Sequence, residues 1–307
     1  MSYRIRRILA LAGLFAALAL NGCANGTPAD ESSNGREPLT NGTAGAPETT
    51  EQPAEGIGTK DAKDAENTPD SPSAEAEPLD IEALRNDSGK TMLVSYTNAK
   101  DGTRHATVAI VSSQGTVAIA DPHSIPQTNG RVPADIITVS HSHPDHNDPT
   151  YVLAAKEARV SVVKAESFAV KDIAVTGIAA AHYEGDVIPD APSDVIYLFE
   201  VDGLRIAHFG DLGQEKLTEE QLEQLGEIDV AITRFSRETR YGASAAKTIA
   251  LLRQVKPRLV LPSHFESETI DEVLTQLKAT DRVETDKLLL DSEEIGNLES
   301  LRFVMLK

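Results

Sequence analysis

The sequence is poor in cysteine, in basic residues and in long apolar runs. Its 307 residues contain a single cysteine, Cys23, so no disulfide can form within the chain. They carry 48 acidic residues against 29 lysines and arginines, a net charge of −19 at pH 7. An acidic chain is repelled by phosphate backbones, which argues against nucleic acid as a partner. The apolar run at residues 8–20 is too short for an ordinary membrane-spanning helix.

That apolar run has the form of a secretory signal instead. Arg4, Arg6 and Arg7 precede it, and it ends in Leu20-Asn21-Gly22-Cys23. This ending resembles a bacterial lipobox, in which the cysteine is lipidated and becomes the mature N-terminus. We expect residues 1–23 to be a lipoprotein signal peptide with Cys23 lipidated, so that the protein is exported and anchored to the cell envelope through its N-terminal lipid. The alternative is a cleaved signal with an incidental cysteine.

Residues 24–88 are predicted to form a disordered acidic linker. From residue 24 to 78 the chain is rich in Gly, Pro, Ser, Thr, Ala and acids, and its twelve acidic residues against three basic ones leave a net charge of −9. So few large apolar side chains cannot offset the entropy lost on ordering. Residues 89–307 are long enough for one hydrophobic core.

Apolar periodicity in this globular part predicts strands interspersed with helices. The predicted strands are 92–96, 106–111, 116–120, 136–139, 160–163, 173–178, 195–201, 204–209, 229–232, 259–261 and 301–305. The predicted helices are 149–159, 218–225, 243–255 and 268–278. This pattern, without an internal repeat, indicates an α/β sandwich.

The run His141-Ser142-His143-Pro144-Asp145-His146 carries the strongest chemical signal. Neutral imidazoles suit first-row metal ions, and a carboxylate adds charge or orients a bound water. His141 and His143 project to one side of an extended stretch and can bind one ion, while Asp145 and His146 can bind a second beside it.

Three more candidates follow apolar, strand-like segments: His182, Asp211 and His264. Ends of neighbouring strands meet at one edge of a sheet, so these residues are predicted to join the cluster. The predicted ligands are His141, His143 and His182 on one ion and Asp145, His146 and His264 on the other, with Asp211 bridging them.

This order of ligands resembles the metallo-β-lactamase superfamily over residues 90–307, roughly two thirds of the chain. The string Asp202-Gly203-Leu204-Arg205-Ile206-Ala207-His208-Phe209-Gly210-Asp211-Leu212-Gly213 is similar to one branch, the metal-dependent hydrolases related to ascorbate-phosphate lactonases. The resemblance implies a four-layer αβ/βα sandwich, two ions at the top of the sheets, and a metal-bound hydroxide that attacks esters, lactones, amides, thioesters or phosphodiesters.

Two segments depart from that branch. Where the branch has Pro-Val-Gly-Gly and then Thr, this chain has Thr233-Arg234-Phe235-Ser236-Arg237-Glu238-Thr239-Arg240-Tyr241-Gly242, and the Arg-Gly-x-Asn after the third histidine is replaced by Ala191-Pro192-Ser193-Asp194. Guanidinium groups bind phosphate or carboxylate, so Arg234, Arg237 and Arg240 suggest an anionic small-molecule substrate. The alternative is solvated arginines that pair with nearby acids.

Further roles are assigned by position. Asp145 is a candidate to orient the attacking water or accept its proton. Asp121 ends a predicted strand and resembles the family's supporting aspartate, which holds a ligand histidine. His123 follows close behind and is a candidate substrate contact.

The sequence therefore predicts a metal-dependent hydrolase that acts on an ester, lactone or phosphoester-type substrate with two divalent ions. Zinc is the expected metal, and the ligands also suit manganese or iron. The alternative is a surface lipoprotein that binds metal or a ligand without turnover. A one-ion oxygenase is disfavoured, because it would leave Asp145, His146 and His264 without a metal.

Overall fold

The computed structural model describes residues 82–96, 106–123, 125, 132–185, 187–237 and 243–307, all within the unit Pro69–Lys307. In this part of the chain no helix is long and apolar enough to cross a membrane. The signal peptide with Cys23, the linker up to residue 81, and Arg240 lie outside the described residues. What was predicted for them stays a prediction.

Six strands form the first sheet, in the order β13-β1-β2-β3-β4-β5. Neighbours β1, β2 and β3 run antiparallel, while β3, β4 and β5 run parallel. The bounds are β1 Thr91–Ser95, β2 Val108–Val111, β3 Val117–Ala120, β4 Ile136–Val139, β5 Arg159–Val162 and β13 Leu288–Leu290.

Eight strands form the second sheet, in the order β12-β14-β11-β10-β9-β8-β7-β6. Strands β6 to β9 are antiparallel neighbours, and β9, β10, β11, β14 and β12 are parallel. The bounds are β6 Ser167–Val170, β7 Ile173–Ala180, β8 Asp194–Val201, β9 Leu204–His208, β10 Val230–Phe235, β11 Leu259–Phe265, β12 Asp281–Thr285 and β14 Arg302–Leu306.

The helices are short. Side chains cap the starts of several of them. Thr218 accepts from the Gln221 amide while Gln221 bonds back to the Thr218 amide, a capping box that fixes the start of α2. At the start of α3, the Ser244 side chain accepts a hydrogen bond from the Lys247 amide. The bounds are α1 Pro149–Ala154, α2 Glu219–Leu225, α3 Ala245–Val255, α4 Ser267–Leu277 and α5 Ser292–Gly296, with a 3-10 turn at Glu82–Leu84.

Alternate faces of the strands build three apolar layers. In β2, Val108 and Ile110 pack between the two sheets, whereas Ala109 and Val111 face outward with Tyr151 of α1. The outer face of the second sheet packs against α2, α3 and α4. Helices therefore cover the outer face of each sheet, and the predicted four-layer αβ/βα sandwich is confirmed.

Several local predictions differ from the structure. Strands β10 and β11 extend to Phe235 and Phe265, beyond their predicted ends at 232 and 261, so Arg234 and His264 lie within strands. The helix predicted at 149–159 ends at Ala154, because the chain turns and enters β5 at Arg159. Strands β6, β12 and β13 were not predicted. Strands β6 and β12 lie at sheet edges with half-exposed side chains, so no apolar run marks them in the sequence.

Candidate metal centre

The chemically distinctive side chains lie where strands of both sheets end on the same side of the sandwich. Asp121 follows β3, His141 follows β4 and His182 follows β7. Asp211 comes three residues after β9, and His264 is the second-last residue of β11. All seven predicted ligands meet there in overlapping groups.

Three imidazoles form the first group, which we name the imidazole position: His141, His143 and His182. One nitrogen from each lies within 4.8 Å of the others. The rings of His141 and His182 stack at 4.5 Å between centroids, and the His143 ring stands edge-on to both. Three imidazoles around one point match the ligand set of a first-row metal ion.

Neighbouring groups fix the tautomers of these rings. Ser140 Oγ lies 2.6 Å from Asp121 Oδ2 and donates to it, so it accepts from His141 Nδ1 at 3.0 Å. His182 Nδ1 donates to the Asp211 carbonyl oxygen at 3.0 Å. Both rings therefore carry their proton on Nδ1, and the Nε2 lone pairs are left for an ion.

Asp145, His146 and His264 form the second group, joined by Asp211; we name it the mixed position. His146 Nε2 lies 2.8 Å from His264 Nε2 and 3.5 Å from Asp211 Oδ1. Asp145 Oδ2 lies 3.6 Å from His264 Nε2. Two imidazole nitrogens and two carboxylate oxygens thus surround one point.

The backbone is bent where it presents these ligands. Asp121 has φ of 48° and His264 has φ of 37°, both in the left-handed region that residues other than glycine rarely adopt. The register between β10 and β11 also shifts at Arg234 and Phe235, next to His264. Such an irregularity re-aims a side chain at the end of a strand.

Asp121 holds neighbouring residues in place through both carboxylate oxygens, and one of these oxygens also lies within 4.8 Å of a nitrogen of His141 and of His146. Its Oδ1 accepts from the Ser140 amide at 2.6 Å, and its Oδ2 accepts from Ser140 Oγ at 2.6 Å and from His146 Nδ1 at 2.7 Å. With both oxygens occupied, the carboxylate orients His146 so that its Nε2 faces His264.

Three buried atoms test whether the residues fit a metal. His141 Nε2, His182 Nε2 and Asp211 Oδ1 are buried without a hydrogen-bond partner among the described residues. Buried polar atoms are rarely left unpaired, because the loss of hydration is not regained. Their convergence is accounted for by bound ions, and the donor set fits two of them.

The two positions differ in proton affinity. Burial, with the His146 imidazole nearby, lowers the pKa of His141 to about 2, and burial lowers the pKa of His182 to about 4. Burial also opposes the charged form of His146, but the carboxylates of Asp211 and Asp121 outweigh it and raise the pKa of His146 to about 9. Near neutral pH His141 and His182 of the imidazole position are unprotonated, while an ion at the mixed position must displace a proton from His146.

Asp211 is held ionised between the two positions. Burial opposes its charge, but His146, His264 and Arg234 together hold the pKa of Asp211 below its usual range. Its Oδ2 pairs with Arg234 Nη1 at 3.1 Å, while Oδ1 faces the mixed position.

Glycines allow the chain to pass close behind the ligands. A Cβ on Gly213 would lie 1.9 Å from the His182 carbonyl oxygen, and one on Gly210 would lie 2.5 Å from Asp194 Oδ1. Gly210 also has φ of 50°. The Gly-Asp-Leu-Gly segment is thus required by the space behind His182 as well as by its aspartate.

A cavity of about 220 Å³ opens over the centre and is lined by His143, Pro144, Asp145, Asp211, Arg234, Ser236 and His264. Of the predicted substrate contacts that the structure describes, His123, Arg234 and Arg237, only Arg234 is among these residues. Arg237 pairs with Glu272 on α4 at 2.8 Å, with about half of each side chain exposed. His123 exchanges backbone hydrogen bonds with Thr107 Oγ1.

A model of the beta-lactamase superfamily domain matches residues 86–264, more than half of the chain. The chain belongs to the metallo-β-lactamase superfamily. Its solved structures include a Thermotoga maritima protein described as a candidate zinc-dependent hydrolase, at 20% identity and a TM-score of 0.52 over 70% of this chain and 98% of that one. A candidate metal-dependent hydrolase from Parabacteroides distasonis has 18% identity and a TM-score of 0.51 over 73% of this chain and 97% of that one. No curated protein matches significantly.

At such identities these structures show the shared fold alone. Sequence reasoning missed three supporting residues of this metallo-β-lactamase centre. Ser140 links Asp121 to His141; Asp194 Oδ1 lies 3.9 Å from His141 Nδ1; and His208 donates to the Ala106 carbonyl oxygen at 3.0 Å. Ser140 lies next to His141, His208 lies three residues before Asp211, and Asp194 lies in a segment that departs from the family pattern, but none of these signals assigns a role.

Proposed function

We propose that this metallo-β-lactamase-fold protein hydrolyses a small-molecule ester, lactone or phosphoester with two divalent ions bound at the imidazole and mixed positions. The observation that carries the proposal is the convergence, beneath a cavity, of three buried atoms without a hydrogen bond to any described residue: His141 Nε2, His182 Nε2 and Asp211 Oδ1. A site that only stored metal would not need an opening of this size over its ligands. The substrate range follows from the resemblance to the lactonase-related branch.

Bound divalent ions lower the pKa of coordinated water to roughly 7 and so supply a nucleophile near neutral pH. The side chains of this chain would position it. Asp145 is 46% exposed at the cavity wall, so its carboxylate can reach both His264 and an incoming water. We assign to Asp145 the orientation of the attacking water and the acceptance of its proton.

Zinc is the proposed metal. Two of the three rings in the imidazole position expose Nε2 with Nδ1 fixed by a hydrogen bond, an arrangement common in zinc sites. Manganese and iron accept the same donors, so metal identity needs a direct measurement.

The first experiment combines metal content with turnover in the full-length protein. We expect two ions per chain by elemental analysis after reloading with zinc, and hydrolysis of at least one substrate in a panel of esters, lactones and phosphodiesters. His182→Gln should lose at least one ion and the activity. Glu184→Gln, exposed and two residues away, is the matched control and should keep both.

Fewer than one ion per chain under metal-replete conditions would contradict the proposal. Two ions without turnover would favour the alternative, a surface protein that binds metal or a ligand.

We further propose that the enzyme is exported and anchored to the bacterial cell envelope through lipidated Cys23, on the acidic linker. The basic residues, apolar run and lipobox-like ending of residues 1–23 support this. Expression in a bacterial host with radiolabelled palmitate should label the wild type and place it in the membrane fraction. Cys23→Ala should lose both the label and the membrane association. Equal labelling of the wild type and Cys23→Ala would contradict the proposal.

A further inference from the structure

Arg234 is a charged side chain buried inside the metal centre. It lies near the end of β10, in register with Ser263 of β11, and only 5% of its surface is exposed. Its Nη1 lies 3.1 Å from Asp211 Oδ2, and its Nη2 donates to the Leu212 carbonyl oxygen at 3.5 Å. The guanidinium is therefore fixed in place beside the predicted bridging ligand.

The same guanidinium forms part of the cavity wall. Arg234 lines the cavity with His143 of the imidazole position and with Asp145 and His264 of the mixed position. Its position contrasts with that of Arg237, which pairs with Glu272 outside this lining. A ligand that reaches the ions thus also reaches Arg234.

Ion binding changes the charge balance around Arg234. A buried charge is costly unless an opposite charge compensates it, and Asp211 provides that charge here. Bound ions would share the charge of Asp211. Two divalent ions bring four positive charges and Arg234 a fifth, against the three carboxylates of Asp145, Asp211 and Asp121. The loaded centre therefore has an excess of positive charge that an anion would compensate.

We propose that Arg234 binds an anionic oxygen of the substrate, a phosphate or carboxylate group, beside the two ions. A guanidinium presents paired donors in the geometry of such groups. This inference rests on the proposed metal-dependent function and specifies its substrate class. Arg234 would act as a specificity-determining residue. It would take no part in orienting the attacking water, a role assigned to Asp145.

The test titrates inorganic phosphate and acetate into the zinc-loaded full-length protein by calorimetry, with bound zinc measured in every sample. Arg234→Gln should lower phosphate affinity about tenfold or more with two ions still bound, because charged hydrogen bonds are lost. Arg234→Lys should retain part of the affinity. Arg282→Gln removes an arginine from an exposed pair with Asp271 and should leave affinity unchanged. Stronger binding of phosphate than of acetate would identify the phosphate class, and the reverse order the carboxylate class.

Equal phosphate affinity in the wild type and Arg234→Gln would overturn the proposal. So would loss of an ion from Arg234→Gln, since Arg234 would then support the metal and not the ligand. A wild type without turnover would count against the hydrolase proposal alone, because the titration does not depend on turnover. Where turnover is found, Arg234→Gln should raise KM for bis(4-nitrophenyl) phosphate and leave KM for neutral 4-nitrophenyl acetate unchanged.

Discussion

The two ion positions of the centre use similar residues but are prepared for a metal in different ways. At the imidazole position, burial keeps His141 and His182 unprotonated, and their Nε2 atoms lack partners. At the mixed position, carboxylates keep a proton on His146, whose Nε2 faces His264 at 2.8 Å. His141 and His182 can therefore bind an ion at neutral pH without losing a proton, whereas binding of an ion to His146 displaces one. Their affinities should therefore respond differently to pH and mutation.

Asp211 is the residue that joins the two positions, so its loss should have the largest effect. Asp211→Asn is expected to lower kcat by about a thousandfold or more, since the ions contribute several kcal/mol to catalysis. Bound zinc should fall below two per chain by elemental analysis.

The Asp211→Asn variant leaves Arg234 buried without its counter-charge and could unfold for that reason. The double variant Asp211→Asn with Arg234→Gln restores neutrality and should fold while still lacking activity. A folded double variant with wild-type metal content would remove Asp211 from the ligand set.

Acidification should lower the zinc affinity of the mixed position more than that of the imidazole position. Because the pKa of His146 is raised to about 9, protons compete with the ion below that pH, at about tenfold per pH unit. Lowering the pH from 8 to 6 should weaken the mixed position about a hundredfold. The pKa of His182 is about 4 and that of His141 about 2, so these rings stay unprotonated throughout. Equilibrium dialysis at fixed free zinc should show a fall from two ions towards one; a simultaneous loss of both would contradict the comparison.

Asp121→Asn should weaken mainly the mixed position, about ten- to a hundredfold, because the charge that holds His146 Nδ1 is removed. Asparagine tolerates the φ of 48° at this position, so the fold should survive. Asp202→Asn is the matched control: it has the same φ of 48° and accepts from Ser113 and Thr91 instead. Zinc titration compares the affinities of the two variants. An equal loss of zinc affinity in both would contradict the supporting role of Asp121.

Ser140→Ala should have the smallest effect and the same size of effect at both positions. The hydroxyl donates to Asp121, behind the mixed position, and accepts from His141 of the imidazole position. Loss of these bonds costs about 1 kcal/mol each, roughly a fivefold fall in affinity. If zinc titration showed a loss at one position only, Ser140 would not link them.

Much of the centre could be predicted because its ligands carry local signals. His141 to His146 lie within one short segment, and His182 and Asp211 follow apolar strands that periodicity identifies. The helix predicted at 218–225 likewise has Thr218 at its start, where the structure shows a capping pair with Gln221, only three residues away. Such patterns depend on neighbours in the chain and can be seen without the fold.

Other features depend on contacts between distant segments and could not be predicted. His208 meets the Ala106 carbonyl oxygen across 102 positions of the chain. The edge strands β6 and β12 exist because a neighbouring strand pairs with them, not because their own residues form an apolar run.

Arg234 and Arg237 show most clearly which features follow from local sequence and which follow from tertiary packing. The sequence by itself determined the ligand types and the strands that precede most of them, and it placed Arg234 and Arg237 together in one short segment near the end of a strand. Only the tertiary structure decided that Arg234 points to Asp211 while Arg237 points to Glu272 of α4. The reason is that local pattern sets where a strand ends, whereas the charge that each side chain meets is set by which other elements pack against that end.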